Sequence, residues 1–232
     1  MIQRIISVVV LFFILFSSSV VFSDNQDASE EPAYEIDLGL GEEINEVCAG
    51  CHGEFAEGGK GGEYPRLAGF PQKYLREQLG LFKNNQRHNL PMKPYANDRE
   101  LPDDDIYSVT AYIETIKLQT KIPDFKADTT AYEKLLIAKK VLNIPRVGGD
   151  IQLGKKLYNK ECKICHGVAG KGKKKSDTPP LSGQYTQYLR KQIIDYNAKK
   201  RHHDYDDEDE AFKAYSEEQI QALLAYLSIT DD

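Results

Sequence analysis

Two copies of one five-residue pattern constrain this chain more than anything else in it. Cys48-Ala49-Gly50-Cys51-His52 and Cys162-Lys163-Ile164-Cys165-His166 use all four cysteines of the 232 residues. C-x-x-C-H is the pattern of covalent c-type haem attachment. Two thiols must reach the two vinyl groups on one porphyrin edge, and a turn of helix between them sets their separation. The following histidine then offers an imidazole nitrogen to the iron from the proximal side. Four cysteines in an exported chain would otherwise suggest two disulfides, and a Cys2His cluster could form part of a zinc site. A histidine directly after each pair argues against the first alternative. The lack of a clear fourth soft ligand argues against the second.

The two motifs lie 114 residues apart, and a shift of 114 superposes far more than the motifs. Pro65, Leu67 and Gly69 fall on Pro179, Leu181 and Gly183. Tyr74-Leu75-Arg76 and Gln78 fall on Tyr188-Leu189-Arg190 and Gln192, and Arg87-His88 falls on Arg201-His202. Ile106, Ala111 and Tyr112 fall on Ile220, Ala225 and Tyr226, which predicts a duplicated unit in a register that never slips. Each unit reads as helical. Leu75, Leu79 and Phe82 recur at helical spacing, as do Leu189, Ile193 and Tyr196. The last helix of each unit carries Ile106, Val109 and Ile113, or Ile220, Leu223, Leu224 and Leu227. Ser216 with Gln219 predicts a capping box ahead of that final helix. No stretch alternates long enough for a strand, so the fold class is all-α. The run Glu57-Gly58-Gly59-Lys60-Gly61-Gly62 is not a phosphate cradle, because no strand precedes it and no GK[ST] ends it.

Residues 1–23 read as a signal peptide: Arg4, an apolar run from Ile5 to Phe16, then small residues with Val21 and Ser23 at the −3 and −1 positions of a cleavage site. The run is short for a membrane span, although an uncleaved anchor is the alternative. The expected division is 24–118 for the first domain, 119–149 for a linker and 150–232 for the second. The linker holds one predicted helix, Thr130 to Leu142, bracketed by Pro123 and Pro145 and expected to pack across both units. With a net charge of −6, nothing in the composition points to a nucleic-acid partner. Residues 42–64 nevertheless hold six acids against one base, and the matching window 156–178 holds seven lysines against two acids. That contrast suggests docking faces of opposite sign around the two motifs, alongside the plainer interpretation of two solvated loops.

With the motifs and both P-x-L-x-G runs in hand, the chain resembles di-haem cytochromes c of the cytochrome c4 type, over roughly residues 36–118 and 150–230. The resemblance implies two all-α class I cytochrome c domains, two covalently bound haem c groups and periplasmic residence. It also implies a single-electron carrier with no catalysis of its own. The donor would be a membrane quinol-oxidising complex or a dehydrogenase, and the acceptor a terminal oxidase or reductase. Peripheral association with the membrane is compatible with this reading. Cofactor-binding residues would be Cys48, Cys51, His52, Cys162, Cys165 and His166, with Pro65 and Pro179 accepting from the far ring nitrogens of the two histidines.

The family closes each iron with a methionine before the last helix. Met92 stands there in the first unit, flanked by Pro91 and Pro94, but Asp206 occupies the matching place in the second. Three outcomes stay open for that second iron: a histidine takes over, the site is five-coordinate, or Tyr205 or water closes it. His202 has a repeat mate in His88, which coexists with Met92, so His203 is the better candidate. A bis-histidine second haem would have the lower potential. An open second iron would instead suit a peroxidase-like enzyme or a gas sensor.

Overall fold

The computed structural model describes residues 34–203 and 214–230. The signal segment, Tyr205 and the acidic run after Asp204 lie outside the described residues. Within them the regular structure is helical, and extended pairing is confined to isolated bridges. The first unit contains α1 (Leu38–His52), α2 (Gln72–Lys83) and α3 (Asp103–Thr115). The linker contributes α4 (Ala131–Lys139). The second unit contains α5 (Ile151–Leu157), α6 (Lys163–His166), α7 (Thr186–Asn197) and α8 (Glu217–Leu227).

Each unit is organised by the crossing of its first and last helices, α1 on α3 and α5 on α8. A glycine stands at each crossing. A Cβ on Gly41 would lie 2.3 Å from the Ser108 carbonyl oxygen, and one on Gly154 would lie 1.9 Å from that of Ala222. Close backbone approach is why these positions carry no side chain. Around the crossings lie two cores. One contains Phe70, Leu75, Leu101, Ile106, Val109 and Ile113. The other contains Tyr158, Leu189, Ile220, Leu223, Leu224 and Leu227. The helical stripes read from the sequence therefore face inward. The Ser216–Gln219 capping box is present at the start of α8.

The register of the duplication does slip, by one residue. Asp37 caps α1 and Asp150 caps α5, and Gly41 matches Gly154, both at an offset of 113. From the cysteines onward the offset is 114. The extra residue is absorbed by a π-helical turn, Tyr158–Cys162, that leads directly into the second motif, whereas α1 runs unbroken into the first. As a result Tyr158 occupies the place held by Asn45 in the first unit. Tyr158 is fully buried, and its hydroxyl donates to the Gly167 carbonyl at 2.7 Å. Asn45 donates more weakly, Nδ2 to the Glu54 carbonyl at 3.4 Å.

The linker helix ends at Lys139, short of the Leu142 expected from the sequence, and buries none of its residues. Thr130 and Glu133 form a capping box at its start. The burial expected of this helix falls instead on the chain after it, where Leu142 and Ile144 are buried. Leu142 packs near Gly183 of the second unit, while Lys139 pairs with Glu54 of the first at 3.0 Å. The linker thus touches both units, the first through Lys139 at the end of its helix and the second through the segment after it, rather than through an apolar helix face.

Candidate functional site

In the first unit α1 delivers Cys48, Cys51 and His52 on its last turn. His52 is buried, and its Nδ1 lies 2.9 Å from the Pro65 carbonyl oxygen. A carbonyl only accepts, so Nδ1 carries the proton and the Nε2 lone pair is left for a metal. Burial holds His52 below the usual histidine value, even against the Pro65 carbonyl, which keeps the ring neutral as ligation requires. The second unit repeats the arrangement on α6: His166 is buried with Nδ1 3.0 Å from the Pro179 carbonyl oxygen. The four cysteines form no disulfide with one another; burial pushes the Cys48 thiol up, and pushes that of Cys162 up to about 11.

The distal sides differ. Met92 is half-buried in a turn between α2 and α3, where Tyr95 and Ala96 N–H groups donate to its carbonyl. In the second unit His203 is half-buried, with its ring centroid 6.0 Å from that of His166 and 5.0 Å from that of Tyr196. His166 and His203 are therefore the imidazoles that would hold an iron in this domain, where it would supply one-electron redox chemistry. His202 is exposed, as is His88. The structure therefore brings His203 to His166 and leaves His202 at the surface.

The repeat-matched polar residues, to which sequence patterning assigns no role, meet between the units. Arg87 donates to Gln78 of its own unit at 2.7 Å, and to Tyr188 and Gln192 of the other at 3.1 and 3.0 Å. Arg201 mirrors it, donating to Gln192 at 2.6 Å and across to Tyr74 and Gln78 at 3.1 and 2.9 Å. The signal available in the sequence was the survival of Tyr, Gln and Arg at one offset, beside an apolar helical stripe. Arg201 is buried, yet among the described residues neither arginine has a carboxylate partner. Burial alone would raise the Tyr188 phenol, but the two guanidiniums bring it below the usual tyrosine value. Buried charge is ordinarily neutralised. The carboxylates that each haem brings would suit this pair of arginines, as the Nε2 of His52 would suit its iron.

A second contact is asymmetric. Gln184 makes a paired amide contact with the Arg66 backbone, accepting from its N–H at 3.0 Å and donating to its carbonyl at 2.9 Å. The glycine-rich loop packs under Tyr185: a Cβ on Gly58 or Gly62 would come within 2.6 or 2.5 Å of that ring or its Cβ. Those glycines serve close approach between the units.

Comparison with known proteins agrees with this construction. The cytochrome c family model matches residues 40–117 and 151–230. A thiosulfate dehydrogenase electron acceptor from Stutzerimonas stutzeri (strain A1501) is 32% identical over 190 residues, covering 78% of each chain. Cytochrome c4 from Pseudomonas aeruginosa is 29% identical over 171 residues, covering 73% of this chain and 76% of the relative. The structure of reduced recombinant cytochrome c4 from Pseudomonas stutzeri superposes with a TM-score of 0.62 at 24% identity, covering 84% of this chain and 98% of that one. The chain belongs to the cytochrome c family, as a cytochrome c4-like protein whose two tandem domains each bind one covalent haem c.

Proposed function

We propose that this protein is a periplasmic single-electron carrier with unlike axial ligands at its two irons: His52 with Met92 in the first domain, His166 with His203 in the second. When bound, each haem supplies a one-electron redox change at its iron. The chain's own residues do the rest. Pro65 and Pro179 hold the ligand tautomers, the four cysteines fix the porphyrin edges, and Arg87 and Arg201 supply positive charge where the domains meet. The observation that carries the second-iron assignment is the 6.0 Å separation of the His166 and His203 rings, combined with the absence of a methionine after Met92. A thioether favours the reduced iron and two imidazoles do not, so electrons enter at the second domain and leave from the first. The relative named as a thiosulfate dehydrogenase electron acceptor supports a dehydrogenase of reduced sulfur compounds as donor, with a terminal oxidase or reductase as acceptor.

Paramagnetic resonance of the oxidised protein, with carbon monoxide added to the reduced protein, tests the ligand set. Both irons should be low-spin and closed in the parent protein. His203→Ala should open one iron to carbon monoxide, while His202→Ala should change nothing. A high-spin signal from half the haem in the parent protein would sink the bis-histidine assignment.

A further inference from the structure

The ring of His203 is held from both domains. Arg201 stands two residues before it and is buried. The Arg201 backbone N–H donates to the Asp195 carbonyl at 3.3 Å, which ties the turn back to the end of α7. Its guanidinium donates to Gln192 of its own domain, and to Tyr74 and Gln78 of the first domain at 3.1 and 2.9 Å. The same guanidinium lies 4.9 Å from the centroid of the Tyr196 ring. That ring in turn meets His203 edge to face, with 5.0 Å between centroids and 76° between planes. The contacts form a continuous chain from α2 of the first domain, through Arg201 and Tyr196, to the imidazole that stands 6.0 Å from His166.

The first domain uses the same parts differently. Arg87 lies 4.5 Å from the Phe82 ring, and these two occupy the repeat positions of Arg201 and Tyr196. Met92 stands five residues beyond Arg87 rather than two, in a turn of its own. Its N–H donates to the Asn89 carbonyl at 3.1 Å. Asn97 closes that turn, donating to the Pro94 carbonyl at 2.8 Å and accepting from the Arg99 and Glu100 N–H groups. Met92 is thus positioned within its own loop, whereas His203 is positioned by a fork that ends in the other domain.

From this contrast, and resting on the bis-histidine reading above, we propose that Arg201 is the positioning residue for His203, and that the first domain, through Tyr74 and Gln78, holds the sixth ligand of the second iron in place. Tyr196 passes the position of the guanidinium to the imidazole ring. A cation over a ring is held more firmly when it is removed from water, as the buried Arg201 is. The guanidinium fork is planar and rigid, and a buried donor left without an acceptor is costly. Loss of the two first-domain acceptors therefore obliges the fork to turn, and the Tyr196 ring and His203 move with it. Closure of the second iron is then a property of both domains, and a change in how they meet opens a coordination site without altering either ligand.

Carbon monoxide binding to the reduced, haem-loaded full chain reads this, with paramagnetic resonance of the oxidised protein as the second readout. Tyr74→Phe/Gln78→Leu removes both first-domain acceptors. It should raise the carbon monoxide affinity of one haem of the two at least tenfold, equivalent to about 1.4 kcal/mol of ligand closure, and bring out a high-spin signal from that haem. Tyr74→Phe alone keeps the ring against its core and should raise the affinity about two- to threefold. It decides the matter if the double variant does not fold. Gln184→Ala breaks a different contact between the domains, the paired amide contact with Arg66, and should leave the affinity at the parent value. Parent-like affinity in Tyr74→Phe/Gln78→Leu, or in Tyr74→Phe where only that variant folds, overturns the proposal. Equal opening by Gln184→Ala overturns it as well, since any loosening of the joint would then suffice. So does opening that appears only together with loss of helical dichroism. If the parent protein itself binds carbon monoxide at half its haem, or if His203→Ala leaves it closed, the bis-histidine reading fails instead. A closed parent that His203→Ala opens and the first-domain variants do not would remove only the hold between the domains.

Discussion

Gly154→Ala puts the helix crossing of the second domain under direct test. The new Cβ would begin 1.9 Å from the Ala222 carbonyl oxygen, 2.6 Å from its carbon and 2.9 Å from the Tyr226 Cβ. Contacts under 3.0 Å are essentially not tolerated, so α5 and α8 would have to separate by about 1.1 Å. The obstacle is backbone on a helix buried from Ala222 to Leu227, and no flexible side chain can swing aside. Overpacking of this kind costs about 1–3 kcal/mol, and the rigid neighbour places it at the upper end. Alanine returns up to about 1 kcal/mol through its better helix propensity. A net loss of about 2 kcal/mol follows for Gly154→Ala. Gly41→Ala, starting 2.3 Å from the Ser108 carbonyl, should lose less. Gly80→Ala is the control, since that helical position has nothing within 4 Å and should gain about 0.5–1 kcal/mol. Urea unfolding of the haem-loaded protein, followed by far-ultraviolet dichroism and by the haem absorption band, measures all three. If Gly154→Ala is as stable as Gly80→Ala, the helices do not cross at backbone distance and the account of both domain cores is wrong.

Tyr158→Phe should cost about 1 kcal/mol, because it removes the buried hydrogen bond from the phenol to the Gly167 carbonyl. Burial drives this phenol far above its usual value, so the hydroxyl stays a donor across the workable range and the loss should not vary with pH between 5 and about 9. A pH-dependent loss would mean that the hydroxyl titrates, and hence that it is not buried as described. Arg201→Lys should loosen the domains from each other, since a single ammonium cannot match a fork that reaches Gln192, Tyr74 and Gln78 together. The expected sign is loss of coincidence between unfolding of the two domains, with Arg87→Lys milder because Arg87 is less buried. A single cooperative transition with the parent midpoint would show that the arginine fork does not couple them.

The sequence by itself determined the cofactor chemistry and the class of fold. The spacing of Cys48, Cys51 and His52 is local: one turn of helix sets it, and no distant residue is needed to read it. The same holds for the stripe Ile106, Val109 and Ile113, whose helical period declares its buried face. Only the tertiary structure decided what depends on residues far apart in the chain. The slip from 113 to 114 lies ahead of the residues that set the repeat register, and the structure shows how it is absorbed, in a π turn that adds a residue without breaking the helix. His203 and His202 are neighbours in sequence, and only folding carries the ring of the first to within 6.0 Å of His166 while leaving the second in water. Tyr74, Gln78 and Arg87 repeat faithfully at 188, 192 and 201, but a repeat records that a residue was kept and not what it touches. Their partners lie more than 100 residues away, in the other copy of the same unit.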